Sequence, residues 1–190
     1  TMNSKKPLRY WLEIEGRTFP LREARGQEGL SRVSRFELAL HTGDPLFADP
    51  DDLLRREASI HLELEGGTRV RSVAGLVTEA SVDAVITGAP EVRLTVEPRL
   101  SLARHREDNR VFRDRTVPQI VAEVLATIGV SPELRLRQSY AERPYTVQLQ
   151  ESDLAFVSRL LEDEGIFYFL GDGDQLVLGD RRVEVGVFPI

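Results

Sequence analysis

The chain has 190 residues, with 25 lysines and arginines against 31 aspartates and glutamates, a net charge of −6, three histidines and no cysteine. That composition excludes a disulfide framework, a thiolate metal site and a cysteine nucleophile, and its acidic balance disfavours bulk attraction to nucleic acid or an anionic membrane. The 41% apolar share suits a buried core and is too high for a disordered chain, yet the longest apolar runs, such as Ile166 to Leu170, fall far short of the about 20 residues of a membrane-spanning helix.

Residues 8 to 100 read mostly as strands. Tyr10, Leu12 and Ile14 alternate with polar neighbours, as do Phe36, Leu38 and Leu40, then Ile60, Leu62 and Leu64, then Val92, Leu94 and Val96. A further strand is expected from Arg69 to Val82, where Gly75 marks a bulge or a close backbone approach. Turn signals at Gly16, Gly43-Asp44-Pro45, Gly66-Gly67 and Gly88-Ala89-Pro90 separate these runs. One short helix is expected between them, capped by Asp49, opened by Pro50 and favoured by Asp51 and Asp52 at its positive end. Antiparallel strands with one solvated face predict a barrel or a sandwich.

Beyond residue 100 the pattern changes. The run Leu100 to Arg115, dense in Arg, Glu and Asp, reads as a solvated boundary or a partner-facing surface. Thr116-Val117-Pro118-Gln119 is a capping box, and Val117, Ile120, Val121, Val124, Leu125 and Ile128 form one apolar stripe that Gly129 stops. Tyr145, Val147 and Leu149 predict a strand with those three side chains on one face. Ser152 caps a second helix with Asp153 in its first turn, an apolar face of Leu154, Val157, Leu160 and Leu161, and Gly165 as a left-handed stop. A hairpin follows around Gly171 to Asp174, then a last strand at Val183 to Val187. The expected organisation is mainly β with α+β: an antiparallel barrel over 1–100 and a smaller α+β domain over 101–190. The apolar ending Val187-Phe188-Pro189-Ile190 reads as the edge of a fragment.

Chemistry-bearing patterns are sparse. His41, His61 and His105 are not spaced as ligands of one metal. The arginine run from Arg104 to Arg115 is offset by Glu107, Asp108 and Asp114 and offers only Phe112 for base stacking. Asp172, Asp174 and Asp180 share D-x-D spacing with calcium loops but lack a later bidentate glutamate, and a turn explains the glycines. Glu162, Asp163 and Glu164 crowd a helix C-terminus, where the dipole disfavours acids, which points to an ion pair with another segment. Arg159 and Glu162 are spaced for a helical surface pair worth about 0.2–0.5 kcal/mol. No nucleophile elbow, phosphate loop or dinucleotide fingerprint is present. The reading assigns no catalytic residue, no cofactor and no metal.

One segment goes further. Val147 to Phe169, with Gln148, Glu151-Ser152-Asp153, Phe156, Arg159-Leu160-Leu161-Glu162, Glu164-Gly165-Ile166, Tyr168 and Phe169, resembles the Q-x-x-E-S-D-x-x-F-x-x-R-L-L-E-x-E-G-I-x-Y-x-F signature of VgrG proteins, the spikes of type VI secretion systems. Gly29-Leu30-Ser31 with Phe36-Glu37-Leu38, and Asp108 to Asp114 with Val117 to Val121, are similar to two further stretches of that family. The resemblance implies a tube-type barrel in a hub related to phage base plates. It implies a homotrimer for the full-length protein, docking on the Hcp tube hexamer, contacts with base-plate proteins and carriage of effector cargo. It implies no enzyme, no nucleic-acid partner and no membrane insertion. Localisation would be the bacterial cytoplasm during assembly, then the exterior or a target cell after contraction. A contractile phage hub is the alternative, and an evolved enzymatic spike with its catalytic domain beyond residue 190 a more distant one. The second barrel, the oligosaccharide-binding-fold domain and the needle of the family would lie outside this chain, and Glu151, Ser152 and Asp153 are expected to do no more than start a helix.

Overall fold

Strand periodicity in the first hundred residues becomes one antiparallel sheet in the computed structural model, which describes residues 8–64, 68–84, 88–171 and 173–181. Its strands are β1 (Leu8–Ile14), β2 (Arg17–Pro20), β3 (Glu23–Gln27), β4 (Arg35–His41), β5 (Glu57–Leu64), β6 (Thr68–Asp83) and β7 (Glu91–Glu97), ordered β2-β1-β5-β6-β7-β4-β3. No ladder joins β2 to β3 among the described residues, but they are consecutive halves of one extended segment. At its corner the Leu21 N–H donates to the Tyr10 carbonyl at 3.0 Å and the Arg22 N–H to the Ala39 carbonyl at 2.8 Å. One half pairs with β1 and the other with β4, so consecutive residues stand at the two ends of the strand order and curl the sheet in the manner of a barrel.

The alternation places Leu12, Ile14, Phe36, Leu38, Leu40, Ile60, Val92, Leu94 and Val96 in the core. Phe47 and Leu53 join it from two 3₁₀ turns, Pro45–Phe47 and Asp51–Leu53. The expected single helix from Pro50 is replaced by these turns, because the chain reverts to extended backbone at Leu54 (ψ 134°) before an α-helical repeat is complete. Asp44 caps the first turn, accepting from the Leu46 N–H at 2.9 Å; Asp49 accepts from the Asp51 N–H at 2.9 Å, but Pro50 rather than Asp49 holds the N-cap position of the second turn. Gly75 sits where β6 passes from its ladder with β5 to its ladder with β7, and the main chain of Glu97 passes directly over it.

The second set of elements is β8 (Glu107–Phe112), α1 (Val117–Ala126), β9 (Glu133–Arg135), β10 (Thr146–Ser152), α2 (Asp153–Asp163), β11 (Phe167–Leu170) and β12 (Leu176–Gly179). The charged run expected as a solvated boundary is structured: a 3₁₀ helix spans Arg99–His105 and β8 follows it. Its small and apolar members Leu100, Ala103 and Phe112 pack into the core, which explains why it folds. The capping box of α1 forms in both directions, with Thr116 N–H to Gln119 Oε1 at 2.9 Å and Gln119 N–H to Thr116 Oγ1 at 3.4 Å. The stripe Val117, Ile120, Val121, Val124 and Leu125 is fully buried against Phe156, Leu160 and Leu161 of α2.

At the end of α2, Gly165 takes φ 67°, its N–H donates to Glu162 O at 3.0 Å, and Ile166 N–H donates to Leu161 O at 2.8 Å. This is the paired bonding of a Schellman stop, with Ile166 and Leu161 in one core. A side chain at Gly165 would meet open space, so only backbone strain opposes it. Gly165→Val is expected to lower stability by about 1 kcal/mol, read as a shift of the urea midpoint at constant slope; an unchanged midpoint would contradict the left-handed assignment. The hairpin β11–β12 pairs antiparallel as expected, and β9 adds to β12 in parallel. The Gly66-Gly67 turn, Asp172 and the strand expected at Val183 to Val187 lie outside the described residues.

The chain forms two compact units: Thr1–Glu28, Ser34–Pro98 and Asp172–Asp174 make the first, and Gly29–Val33, Arg99–Gly171 and Gln175–Ile190 the second. The expected division was contiguous. Residues 29–33 and 172–174 instead each belong to the unit at the other end of the sequence.

Candidate functional site

The family-like segment builds its densest polar network around Asp153. Strand β10 pairs with β8, and the register shifts between Gln148 and Glu151. In that bulge Gln150 takes φ 50°, and its N–H donates to Asn109 Oδ1 at 3.0 Å. The bulge bends the strand so that Ser152 reaches the N-cap of α2, accepting from the Ala155 N–H at 3.2 Å. Asp153, only 1% exposed, then points inward. Its carboxylate accepts from Arg110 Nη2 at 2.9 and 3.1 Å, and from the fully buried Gln148 through Nε2 at 2.8 Å. Arg106 Nε lies 3.3 Å from the same carboxylate, and the Asp153 N–H donates to Arg106 O at 2.7 Å. Arg110 also donates to Asp108 at 2.7 Å, and that hydrogen bond chiefly holds the Asp108 carboxyl below its usual range.

Asp153 therefore does more than start a helix. It joins α2 to β8 through Arg110, to β10 through Gln148, and to Arg106 in the link between the 3₁₀ helix and β8. A carboxylate shut from water and engaged by two guanidiniums and an amide has no face left for a ligand; its work is to lock these segments together. Arg159 pairs with Glu151 at 2.5 Å and lies 5.4 Å from the centre of the Phe156 ring, and not with Glu162 as the helical spacing suggested. The bulge brings Glu151 within reach, and a bidentate partner on a strand outcompetes a same-helix neighbour. The acids at the end of α2 do find a cation from another segment: Arg143 reaches Glu164 at 2.7 Å and Asp163 at 3.5 Å.

Other candidates stay apart. His61 bridges Ser72 Oγ at 2.8 Å and Glu13 Oε2 at 3.0 Å within the barrel sheet, whereas His41 and His105 are exposed. Among the described residues no three His, Cys, Asp or Glu side chains are grouped to hold a metal ion. A depression of about 470 Å³ on the outer barrel face is walled by Glu23, Arg25, Glu37, Glu79 and Arg93. Its charges are paired internally: Arg35 grips Glu79 at 2.8 and 3.1 Å, Arg25 meets Glu23 at 2.8 Å and Arg93 meets Glu91 at 3.0 Å.

Asp180 serves a loop rather than an ion. Its Oδ2 accepts from the N–H groups of Arg137 and Gln138, both at 2.8 Å, and from the Tyr140 hydroxyl at 3.1 Å. Desolvation pushes this carboxyl up, but those donors outweigh it and hold it below the usual range. Burial, and then the bond to Asp180, push Tyr140 up to about 12 from an ordinary 10.0. A raised folded value means stability that is complete below pH 10 and lost as pH climbs through 12. Tyr140→Phe is expected to cost about 1 kcal/mol near neutrality and to flatten the decline of stability above pH 10. Equal alkaline slopes in both proteins would contradict the bond.

The family can now be stated from comparison with known proteins. Residues 27–185 match the model of the phage tail baseplate hub (GPD) family. The chain belongs to that family. Within it, the type VI secretion system spike protein VgrG4b of Pseudomonas aeruginosa is 35% identical over 195 aligned positions, covering 98% of this chain and 23% of that protein. VgrG1c of the same organism is 37% identical over 150 positions, covering 78% of this chain and 20% of that one. The E. coli c3393 protein, a type VI secretion component described as similar to the T4 tail proteins gp27 and gp5, superposes with a TM-score of 0.77 at 24% identity, over 90% of this chain and 49% of its own. The chain thus spans about a fifth of the length of the spike relatives it matches. For a hub-family chain, the Asp153 network accounts for why the signature reads as it does: Gln148, Glu151, Ser152, Asp153 and Arg159 each hold the bulge and helix start. Arg106 and Arg110 were missed as its partners; they sit among other arginines between Arg104 and Arg115, and nothing in the local pattern sets those two apart.

Proposed function

We propose that this chain is the hub part of a type VI secretion spike, a structural component with no catalytic role of its own. The observation that carries the reading is identity of 35% to a spike protein across 98% of the chain. In the complete protein this region would stand beneath the Hcp tube, trimerise with its copies, meet base-plate proteins and travel outward with effector cargo, assembled first in the bacterial cytoplasm. The phage-hub alternative is less favoured because the close relatives in sequence are named as secretion spikes. Deleting the gene in its own bacterium tests this: export of the tube protein Hcp should stop and return with the restored gene. Undiminished export would refute it. Turnover of peptidoglycan, phospholipid or nucleic acid by the purified chain, abolished by one point substitution in it, would refute the non-catalytic part.

We infer that trimerisation needs segments of the kind its spike relatives carry beyond the matched stretch, since the chain spans about a fifth of their length. The isolated chain is expected to scatter light as a monomer of 21.4 kDa at micromolar concentration. A trimer mass that persists on dilution would show that these residues suffice.

A further inference from the structure

We propose that the outer face of the β8–β10 sheet is a docking surface for a segment of a partner protein that combines apolar side chains with carboxylates. Six large apolar residues are conspicuously exposed among the described residues, and three of them lie on this small sheet: Val111 at 51%, Tyr145 at 58% and Leu149 at 66%. Val147, half-buried, pairs across the ladder with Val111 and alternates with Tyr145 and Leu149, which sets the four residues on one side of the sheet. The inward face is the more polar one, with Thr146 and Gln148 buried beside Phe112. A two-stranded sheet that sends Gln148 inward and keeps Tyr145, Val147 and Leu149 in water is arranged for something to cover it.

Charge identifies the kind of cover. The neighbouring arginines of this unit are matched: Arg110 with Asp108 and Asp153, Arg106 with Asp153, Arg143 with Asp163 and Glu164, Arg159 with Glu151. Arg113 and Arg115, both exposed, have no carboxylate partner among the described residues. Arg113 follows β8 one step beyond the Thr146–Phe112 pair, at the Tyr145 end of the patch, and Arg115 bridges the main chain of Arg143 just past it. Tyrosine and arginine at the edge of an apolar patch are the residues that anchor protein partners, and unmatched guanidiniums select carboxylates. The outer edge of β10 is partly closed, since Arg159 donates to the Val147 carbonyl at 3.4 Å, so the partner lies across the face instead of extending the sheet. The proposal does not rest on the hub reading, and either can fail alone.

Selection of short random peptides from a display library on the purified 190-residue chain tests it. Recovered peptides should combine Leu, Ile or Phe with Asp or Glu. Their affinity should fall about tenfold or more on Arg113→Glu/Arg115→Glu and on Val111→Ser/Leu149→Ser, and repeating the selection on the charge-reversed variant should yield basic peptides. All four side chains are exposed, so unchanged melting temperatures will show that both variants are folded. No enrichment, enrichment without acids, or binding indifferent to both variants would overturn the proposal. So would a dimer of this chain, or capture of phosphatidylserine vesicles or an oligonucleotide, lost in the same variants.

Discussion

Asp153→Ala is expected to lose about 2–3 kcal/mol of stability, the cost of removing a buried carboxylate that accepts charge-assisted hydrogen bonds. The carboxylate is inaccessible, so nothing replaces it when it goes: Arg110 is left without its inner anion, Arg106 loses its contact and Gln148 Nε2 keeps only the Glu151 carbonyl. Against a total of about 5–15 kcal/mol for a typical domain, that is a large share of the stability of the second unit. Urea unfolding followed by fluorescence and by circular dichroism measures it. Asp153→Asn should cost less, because the amide keeps the shape and one acceptor, while Arg110 retains only Asp108 as its anion. A loss below about 1 kcal/mol for the alanine variant would mean that water reaches the site and that the network is a surface ornament.

Gly75→Ala is the second large effect. A methyl group there would press on the Glu97 carbonyl oxygen and lie 2.8 Å from its carbonyl carbon, with Val96 Cγ1 at 3.1 Å. Main chain cannot step aside as a flexible side chain can, and both neighbours belong to β7 in the middle of the barrel. A cost of about 2–3 kcal/mol is expected for alanine, and more for valine, from overpacking. Contrast with Gly165 isolates the cause: one glycine is required for space, the other for its backbone angle. If alanine at position 75 costs no more than at position 165, β6 and β7 part more easily than their ladder implies.

The sequence made the barrel strands legible where alternation was clean. Leu12 and Ile14, Phe36 to Leu40 and Val92 to Val96 all face the core as the period-two pattern required. It hid the corner that joins the ends of the sheet, because Arg17 to Gln27 contains Pro20 and Gly26 and shows no sustained alternation; its order comes from hydrogen bonds to β1 and β4, which no local pattern encodes. In β10 the period holds, but alternation alone does not say which face is buried: Gln148 lies inward, bound to Asp153, and Tyr145 and Leu149 are exposed. The signature segment was visible as a family resemblance, while its physical reason required the arginines of β8, some 40 positions away.

Residues 29–33 and 172–174 each count with the unit whose main stretch lies at the other end of the sequence. No single point of cleavage then yields both units whole: a break near residue 100 leaves each short of one strand-length piece. In heredity the same holds. A recombination event that imports only the coding region for one unit imports an incomplete one, so gene exchange among such proteins should favour crossovers that carry both together. Hybrids joined inside this region should survive only where donor and recipient agree at the two short inserts, whereas junctions beyond it face no such demand.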